Sequence, residues 1–174
     1  DWTHLDEIPF IESEMIIDQP IIRSQGKNLF DGELEIGTVN SDTGLNMQLE
    51  SRVRTKGYIK IKPNTSYSLQ TSNKATINRI YYFDGNKKYI SNQAIDSNNT
   101  VKVSPQNAIY IRLSFANQTL TSITNDDVTN IKASFQIEEG TTATSYEPYK
   151  HQTLYSNRVI GYEENCYYAA TGTK

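Results

Sequence analysis

Short stretches in which apolar and polar residues alternate one by one, parted by turn residues about every ten positions, constrain this chain more than any other feature. In AIYIRLSFA, residues 108–116, Ile109, Ile111, Leu113 and Phe115 share one face, while Tyr110, Arg112 and Ser114 share the other. That period of two is the mark of a half-buried strand. IKASFQIEE repeats it, with Ile131, Ala133, Phe135 and Ile137 expected inward and Lys132, Ser134, Gln136 and Glu138 outward. YIKIKPNTSYSLQT reads as two strands around a Pro63-Asn64 corner, with Ile59 and Ile61 on the first and Tyr67 and Leu69 on the second. TINRIYYFDGNKKYIS sets Asp84-Gly85 between two β-rich runs, a strong hairpin signal. LNMQLESRV alternates Leu45, Met47 and Leu49 against Asn46, Gln48 and Glu50, and TVKVS alternates Val101 and Val103.

At least seven short strands follow from these segments. Their spacing suits antiparallel pairing, not βαβ units, so the expected fold is all-β: an antiparallel β-sandwich of jelly-roll type with N- and C-terminal extensions. Composition agrees, since Ile outnumbers Leu by 19 to 9 and 18 Thr and 12 Tyr favour pleated surfaces. TNDDVTNI carries helix-capping residues but is expected to make no more than one turn. Residues 1–25 read as an arm or connecting strand, residues 26–150 as the sandwich module, and residues 151–174 as an edge strand or the start of a further element. The sequence starts at Asp1 without a Met, as a processed or excised piece would.

Charge and sulfur narrow the chemistry. A net charge of -3 from 17 basic and 20 acidic residues offers no one-signed field for nucleic acid or anionic membrane. No run of eighteen apolar residues is present, so no membrane insertion is expected, and no leader is recognised. Cys166 is a lone cysteine, and with only His4 and His151 beside it no zinc set can be assembled. Ser24 and Lys27 match the S-x-x-K spacing of an acylating serine without its companion elements, a chance match. Glu138-Glu139, Asp126-Asp127 and Glu163-Glu164 are adjacent carboxylates, which in a strand point to opposite faces and do not flank one glycosidic bond. NSDTG at 40–44 and FDGN at 83–86 space oxygen side chains as a calcium loop does, but plain turns explain them. No catalytic residue and no cofactor is expected; a structural calcium has no indication beyond those turns.

The aromatic residues carry the remaining signal. Tyr58, Tyr81 and Tyr110 fall on strand faces opposite the apolar set, Arg112 lies two residues beyond Tyr110, and Gln136 lies on the outward side of its strand. Flat rings beside directional donors are what a polyhydroxylated ligand requires. The same residues would also serve a solvent-facing sheet with cross-strand pairs, or a protein interface.

GKNLFDG (26–32), GYIKIKPNTSYSL (57–69), IYYFDGNKKYIS (80–91), VSPQNAIYIRLSF (103–115) and FQIEEGTTATSYEPY (135–149), taken in order, resemble a module of tail, baseplate and fibre proteins of phages that infect Gram-positive bacteria. The resemblance covers residues 26–150, and the last segment is its most specific element. It implies a carbohydrate-binding-module-like jelly roll in a virion. It also implies cell-wall polysaccharide or teichoic acid as ligand, other tail or baseplate subunits as partners, and a trimeric or hexameric assembly. It transfers no catalytic or ligand residue, because the shared positions are strand cores and turns. A purely structural tail module, or an accessory domain of a glycan hydrolase, are the alternatives. Within FQIEEGTTATSYEPYK the final core strand is expected to finish at Ile137, with Gly140 releasing the backbone and Tyr146, Pro148 and Tyr149 pinning the exiting chain.

Overall fold

A computed structural model describes residues 22–72, 74–117, 119, 121–154, 158–163 and 166–171. The chain runs through β1 (Ile22–Gln25), β2 (Leu34–Ile36), the short β3 (Thr38–Val39) and β4 (Asn46–Met47), then β5 (Val53–Thr55), β6 (Ile59–Lys60) and β7 (Ser66–Gln70). Two long strands, β8 (Ala75–Phe83) and β9 (Tyr89–Ser97), precede β10 (Asn99–Val103) and β11 (Tyr110–Asn117). After helix α1 (Asn125–Lys132) come β12 (Gln136–Glu139), β13 (His151–Leu154), β14 (Arg158–Glu163) and β15 (Cys166–Thr171). Two compact units result: Gln25–His151, and a second formed by Asp1–Ser24 with Gln152–Lys174. In the second, β14 pairs antiparallel with β15, and β1 pairs with β13. Of the arm expected over residues 1–25, only Ile22–Gln25 falls among the described residues, as β1; residues 1–21, and Tyr155, lie outside them.

The larger unit is an antiparallel β-sandwich. One sheet is ordered β2-β5-β11-β8-β9, with β6 also paired to β11; the other is β10-β7-β12. Alternation explains the division of faces. Ile111, Leu113 and Phe115 from β11, Ile77 and Ile80 from β8, Leu69 from β7 and Ile137 from β12 all bury between the sheets, each contributing about 1.5–3 kcal/mol. Phe135 joins the two layers, meeting Phe30 and Phe115 edge-on at ring-centre distances of 5.1 and 4.8 Å. Tyr82 also faces this core. Burial pushes its phenol up to about 12, and its hydroxyl has no partner among the described residues.

The expected turns form, with instructive differences. Asp84 Oδ1 accepts from the backbone N–H of Asn86 and Lys88 at 2.8 and 2.9 Å, closing the β8–β9 hairpin over five residues instead of two. Asn64, at φ 49°, takes the left-handed corner after Pro63; because β6 and β7 lie in different sheets, that corner carries the chain from one layer to the other.

IKASFQIEE is not one strand. Its first two residues complete α1, whose Thr124 and Asp127 form a reciprocal capping box, and the strand begins only at Gln136. Ile131 and Phe135 are nevertheless both buried, while Ala133 is exposed. Positions four apart share a helix face as well as a strand face, so the spacing alone could not separate the two readings. Of LNMQLESRV only Asn46–Met47 pairs in its expected alternating part, and Leu45, Met47 and Leu49 are exposed. That alternation marks a short hairpin of two-residue strands lying on a sheet, not a strand within one.

The ends of the module meet. Asn28, buried, donates from Nδ2 to the carbonyls of Phe135 and Glu147 and accepts at Oδ1 from the N–H groups of Phe30 and Ile137. Leu29 N–H reaches Ile137 O and Gly26 N–H reaches Lys150 O. Asn28→Ala leaves three buried backbone groups and the partly buried Glu147 carbonyl without that partner. It is expected to lower stability by roughly 2–4 kcal/mol, read as an earlier midpoint in urea; a loss within a few tenths would show that water replaces the side chain.

Candidate functional site

The face of the six-stranded sheet that points away from the core was expected to meet solvent. Register places Tyr110 beside Phe83, Arg112 beside Tyr81, and Ser114 beside Arg79 on that face. Much of it is covered. Tyr81 is only 2% exposed and Arg112 only 4%, because the β3–β4 hairpin lies across them. Thr38 Oγ1 shares a hydrogen bond with the Tyr81 hydroxyl at 3.2 Å, and Val39 packs with Tyr81 and Phe83 in a small second core.

Two arginines fasten this hairpin. Arg54 Nε donates to Glu35 Oε1 at 2.8 Å, and its Nη1 donates to the carbonyls of Thr38 and Met47. Arg112 donates from Nε and Nη2 to Thr55 O, from Nη1 to Asn46 Oδ1 at 2.5 Å, and from Nη2 to the same Glu35 oxygen at 3.4 Å. Burial draws the Arg112 guanidinium below its ordinary value, while Tyr58 and Glu35 act in the opposite sense; it remains charged. Gly37 and Gly44 permit the close fit. A Cβ at Gly37 would clash with the Arg54 guanidinium, and one at Gly44 would meet the Tyr89 Cβ at 2.5 Å and its ring at 2.6 Å, with both residues at positive φ.

Gln136 is corrected in the same way, on the other sheet. It is fully buried: Nε2 donates to Glu138 Oε1 at 2.7 Å, and Oε1 accepts from Glu147 N–H at 2.7 Å. The loop after β12 folds back over this face, and Glu138 receives both the N–H and the hydroxyl of Thr144 at 2.7 Å. Lys27 Nζ donates to Thr144 Oγ1 and Ser145 O. The exiting chain is therefore held by Gln136, Glu138 and Asn28. Tyr146 is 40% exposed and contributes one hydrogen bond, to Lys132 O. Burial works against the Glu138 carboxylate, yet the Thr144 and Gln136 hydrogen bonds and the Lys27 charge hold it below the usual range.

Tyr58 and Tyr110 remain half-buried at the uncovered end of the six-stranded sheet. Their rings meet edge-to-face with centres 6.1 Å apart, and Tyr58 is likewise edge-on to Phe83 at 5.0 Å. Lys87 Nζ, from the tip of the β8–β9 hairpin, lies 5.1 Å from the Tyr58 ring centre and 5.9 Å from that of Tyr110. The Arg112 guanidinium stands 5.5 Å from the Tyr58 ring centre. Of the five residues singled out from sequence, the structure thus brings Tyr58, Tyr81, Tyr110 and Arg112 to one region. It buries Tyr81 and Arg112 and puts Gln136 on the other sheet. Lys87, Phe83 and Tyr89 were missed. The Asp84-Gly85 turn was the signal that could have found them, because hairpin pairing sets Phe83 opposite Tyr89 and lifts Lys87 at the tip.

The two calcium-like turns are self-contained. Asn40 Oδ1 accepts from the N–H groups of Asp42 and Thr43, and Asp84 Oδ1 is occupied as described above. Among the described residues no group of three or more His, Cys, Asp and Glu side chains is placed to hold a metal.

Arg112→Ala removes four donated hydrogen bonds, the two to Thr55 O buried and those to Asn46 and Glu35 partly so, and releases the hairpin. It is expected to cost roughly 2–4 kcal/mol of stability in chemical denaturation; a neutral result would separate the hairpin from the guanidinium. Because the Glu138 carboxylate is depressed in the folded state, it adds stability above the ordinary glutamate value of 4.5. That contribution disappears as pH falls through the lowered value. Asp127, lowered chiefly by the Thr124 backbone N–H, adds to the same trend. Melting temperature should therefore fall on acidification below about pH 4.5, and less steeply in Glu138→Gln.

No protein-family model matches the chain, and no curated protein matches it in sequence. Among solved structures it is similar to a chain in the crystal structure of accessory secretory protein 1, 2 and 3 in Streptococcus pneumoniae. The identity is 15%, over 67% of this chain and 97% of that chain, with a TM-score of 0.38. A likeness of that degree says nothing about what the chain binds.

Proposed function

We propose that this chain is a non-catalytic, carbohydrate-binding component of a phage tail or baseplate, holding cell-wall polysaccharide or teichoic acid of a Gram-positive host during adsorption. The phage setting rests on the ordered segments from GKNLFDG to FQIEEGTTATSYEPY. The binding role rests on one observation: the half-buried Tyr58–Tyr110 pair, oriented by Phe83 and with the exposed Lys87 ammonium over both rings, from which a ligand would displace it. A sugar ring presents C–H groups that suit an aromatic face, and the Lys87 ammonium and Tyr hydroxyls supply directional contacts to its oxygens. Tyr81, Arg112 and Gln136 leave this set, since a ligand cannot reach side chains that are committed inside the fold. Arg112 instead positions Tyr58 from below.

One such shelf gives modest affinity. Repetition in a trimeric or hexameric assembly would raise avidity by orders of magnitude without any new contact.

A second reading, a structural module that packs against neighbouring subunits, draws on Ile36, Leu45, Met47 and Leu49, apolar side chains left exposed on β2 and around the β3–β4 hairpin. The two readings use different residues. An oligomerised display of the chain, tested on a glycan array and on purified Gram-positive cell walls, should bind, and Tyr110→Ala should weaken each contact by about tenfold with little change in melting temperature. Absence of binding by the folded, oligomeric display would overturn the carbohydrate reading in favour of the structural one.

A further inference from the structure

Between the chain leaving β6 and the end of β12 a cavity of about 450 Å3 opens. Its wall is apolar: Leu29, Ile61 and Tyr67 line it, and all three belong to the main core or pack against it. Its mouth is charged. Lys62 follows β6 of the six-stranded sheet, Glu139 ends β12 of the other, and their ion pair of 2.7 Å spans the two sheets. With side chains 70% and 50% exposed, that pair is weak and a ligand can open it. An apolar wall with a few polar groups at its mouth is the arrangement of a small-ligand site.

One polar group at the wall is only half used. The Tyr67 hydroxyl accepts the Lys62 N–H at 2.7 Å but donates its own proton to nothing among the described residues. Burial raises the phenol above its ordinary value of 10.0, so that proton is present at neutral pH. The remaining charges are engaged elsewhere. Lys27 and Glu138 border the cavity but are tied to the loop after β12 through Thr144 and Ser145. Lys60 touches its edge, yet as the cross-strand partner of Tyr110 its side chain leaves β6 on the outer face. The Tyr67 hydroxyl and the Lys62 ammonium are thus the donors beside the apolar wall, with Glu139 as the acceptor to be displaced.

We propose that this cavity is a separate site for a small amphipathic carboxylate, independent of the ring shelf. The aliphatic body covers Leu29, Ile61 and the Tyr67 ring. Its carboxylate accepts from the Tyr67 hydroxyl and the Lys62 ammonium, and Glu139 turns out into water. An ammonium end would instead compete with Lys62 for Glu139 and leave the Tyr67 proton unused, so the leftover donor selects the anion. The site does not depend on whether the chain binds carbohydrate.

Calorimetric titration of the full chain tests it with hexanoate, hexanol, hexylammonium and acetate. Hexanoate should bind about tenfold more tightly than hexanol or hexylammonium, and acetate, which lacks the apolar body, should not saturate. Tyr67→Phe and Lys62→Gln should each bring hexanoate down toward hexanol. Glu139→Gln should tighten hexanoate by releasing Lys62, and Tyr110→Ala should leave it unchanged. Lys62 and Glu139 are exposed, so their variants carry the test whether or not Tyr67→Phe folds. Hexanol or hexylammonium binding as tightly as hexanoate would overturn the carboxylate assignment. Hexanoate bound equally by the parent chain, Lys62→Gln and Glu139→Gln would overturn the site, as would its loss in Tyr110→Ala or no binding by the folded chain at millimolar concentration.

Discussion

Two buried guanidinium groups and the partly exposed carboxylate between them, on the outside of a sheet, decide how this molecule presents itself. Arg54 and Arg112 both reach Glu35, and each then spends its remaining donors on the strand and hairpin around it: Thr38 O and Met47 O for one, Thr55 O and Asn46 for the other. A charge taken out of water must be matched by hydrogen bonds, and here only the folded-over hairpin completes the match. The hairpin therefore cannot lift without exposing an unsatisfied guanidinium. With it in place Tyr81 becomes part of a second core, and the aromatic surface left accessible is displaced toward Tyr58, Tyr110 and the tip carrying Lys87.

The smaller sheet is covered by a different device with the same consequence. Gln136 and Glu138 look outward along β12, but the loop after the strand returns to them, and Asn28 ties both ends of the module to β12 and to Glu147. GKNLFDG and FQIEEGTTATSYEPY, so far apart in sequence, are two halves of one closure. Both outer faces are thus partly sealed by the module's own chain. What stays accessible is the aromatic margin beside β6, where Tyr58 and Tyr110 lie half-buried.

What could be read from sequence followed the range of each interaction. Strand periodicity is local, and Ile111, Leu113, Phe115, Tyr67 and Leu69 were placed inward correctly because each needs only its immediate neighbours to be assigned a face. Turn chemistry is equally local, as Asn64 and Asp84 demonstrate. Solvent exposure is not local. Tyr81, Arg112 and Gln136 alternate away from the core as expected, yet segments 35–47 and 140–147 cover them, and nothing in their own neighbourhood announces it. Helix α1 was underestimated for a related reason: its capping residues were visible, but Ile131 and Phe135 satisfy strand and helix spacing at once, and the Thr124–Asp127 box decides between them. Tyr58 and Tyr110 were identified by type and position; their mutual contact and the Lys87 between them needed the register of three strands.

The account's central claim is that carbohydrate meets this chain at the Tyr58–Tyr110 shelf. The most direct measurement is a nuclear magnetic resonance titration of the labelled full chain with soluble Gram-positive cell-wall polysaccharide, following aromatic and amide signals together. The account predicts that perturbations concentrate on Tyr58, Tyr110, Lys60 and Lys87 while Tyr81, Gln136 and β10 stay unchanged. Perturbations confined to the exposed apolar residues Ile36, Leu45 and Met47, or none at saturating polysaccharide, would contradict it.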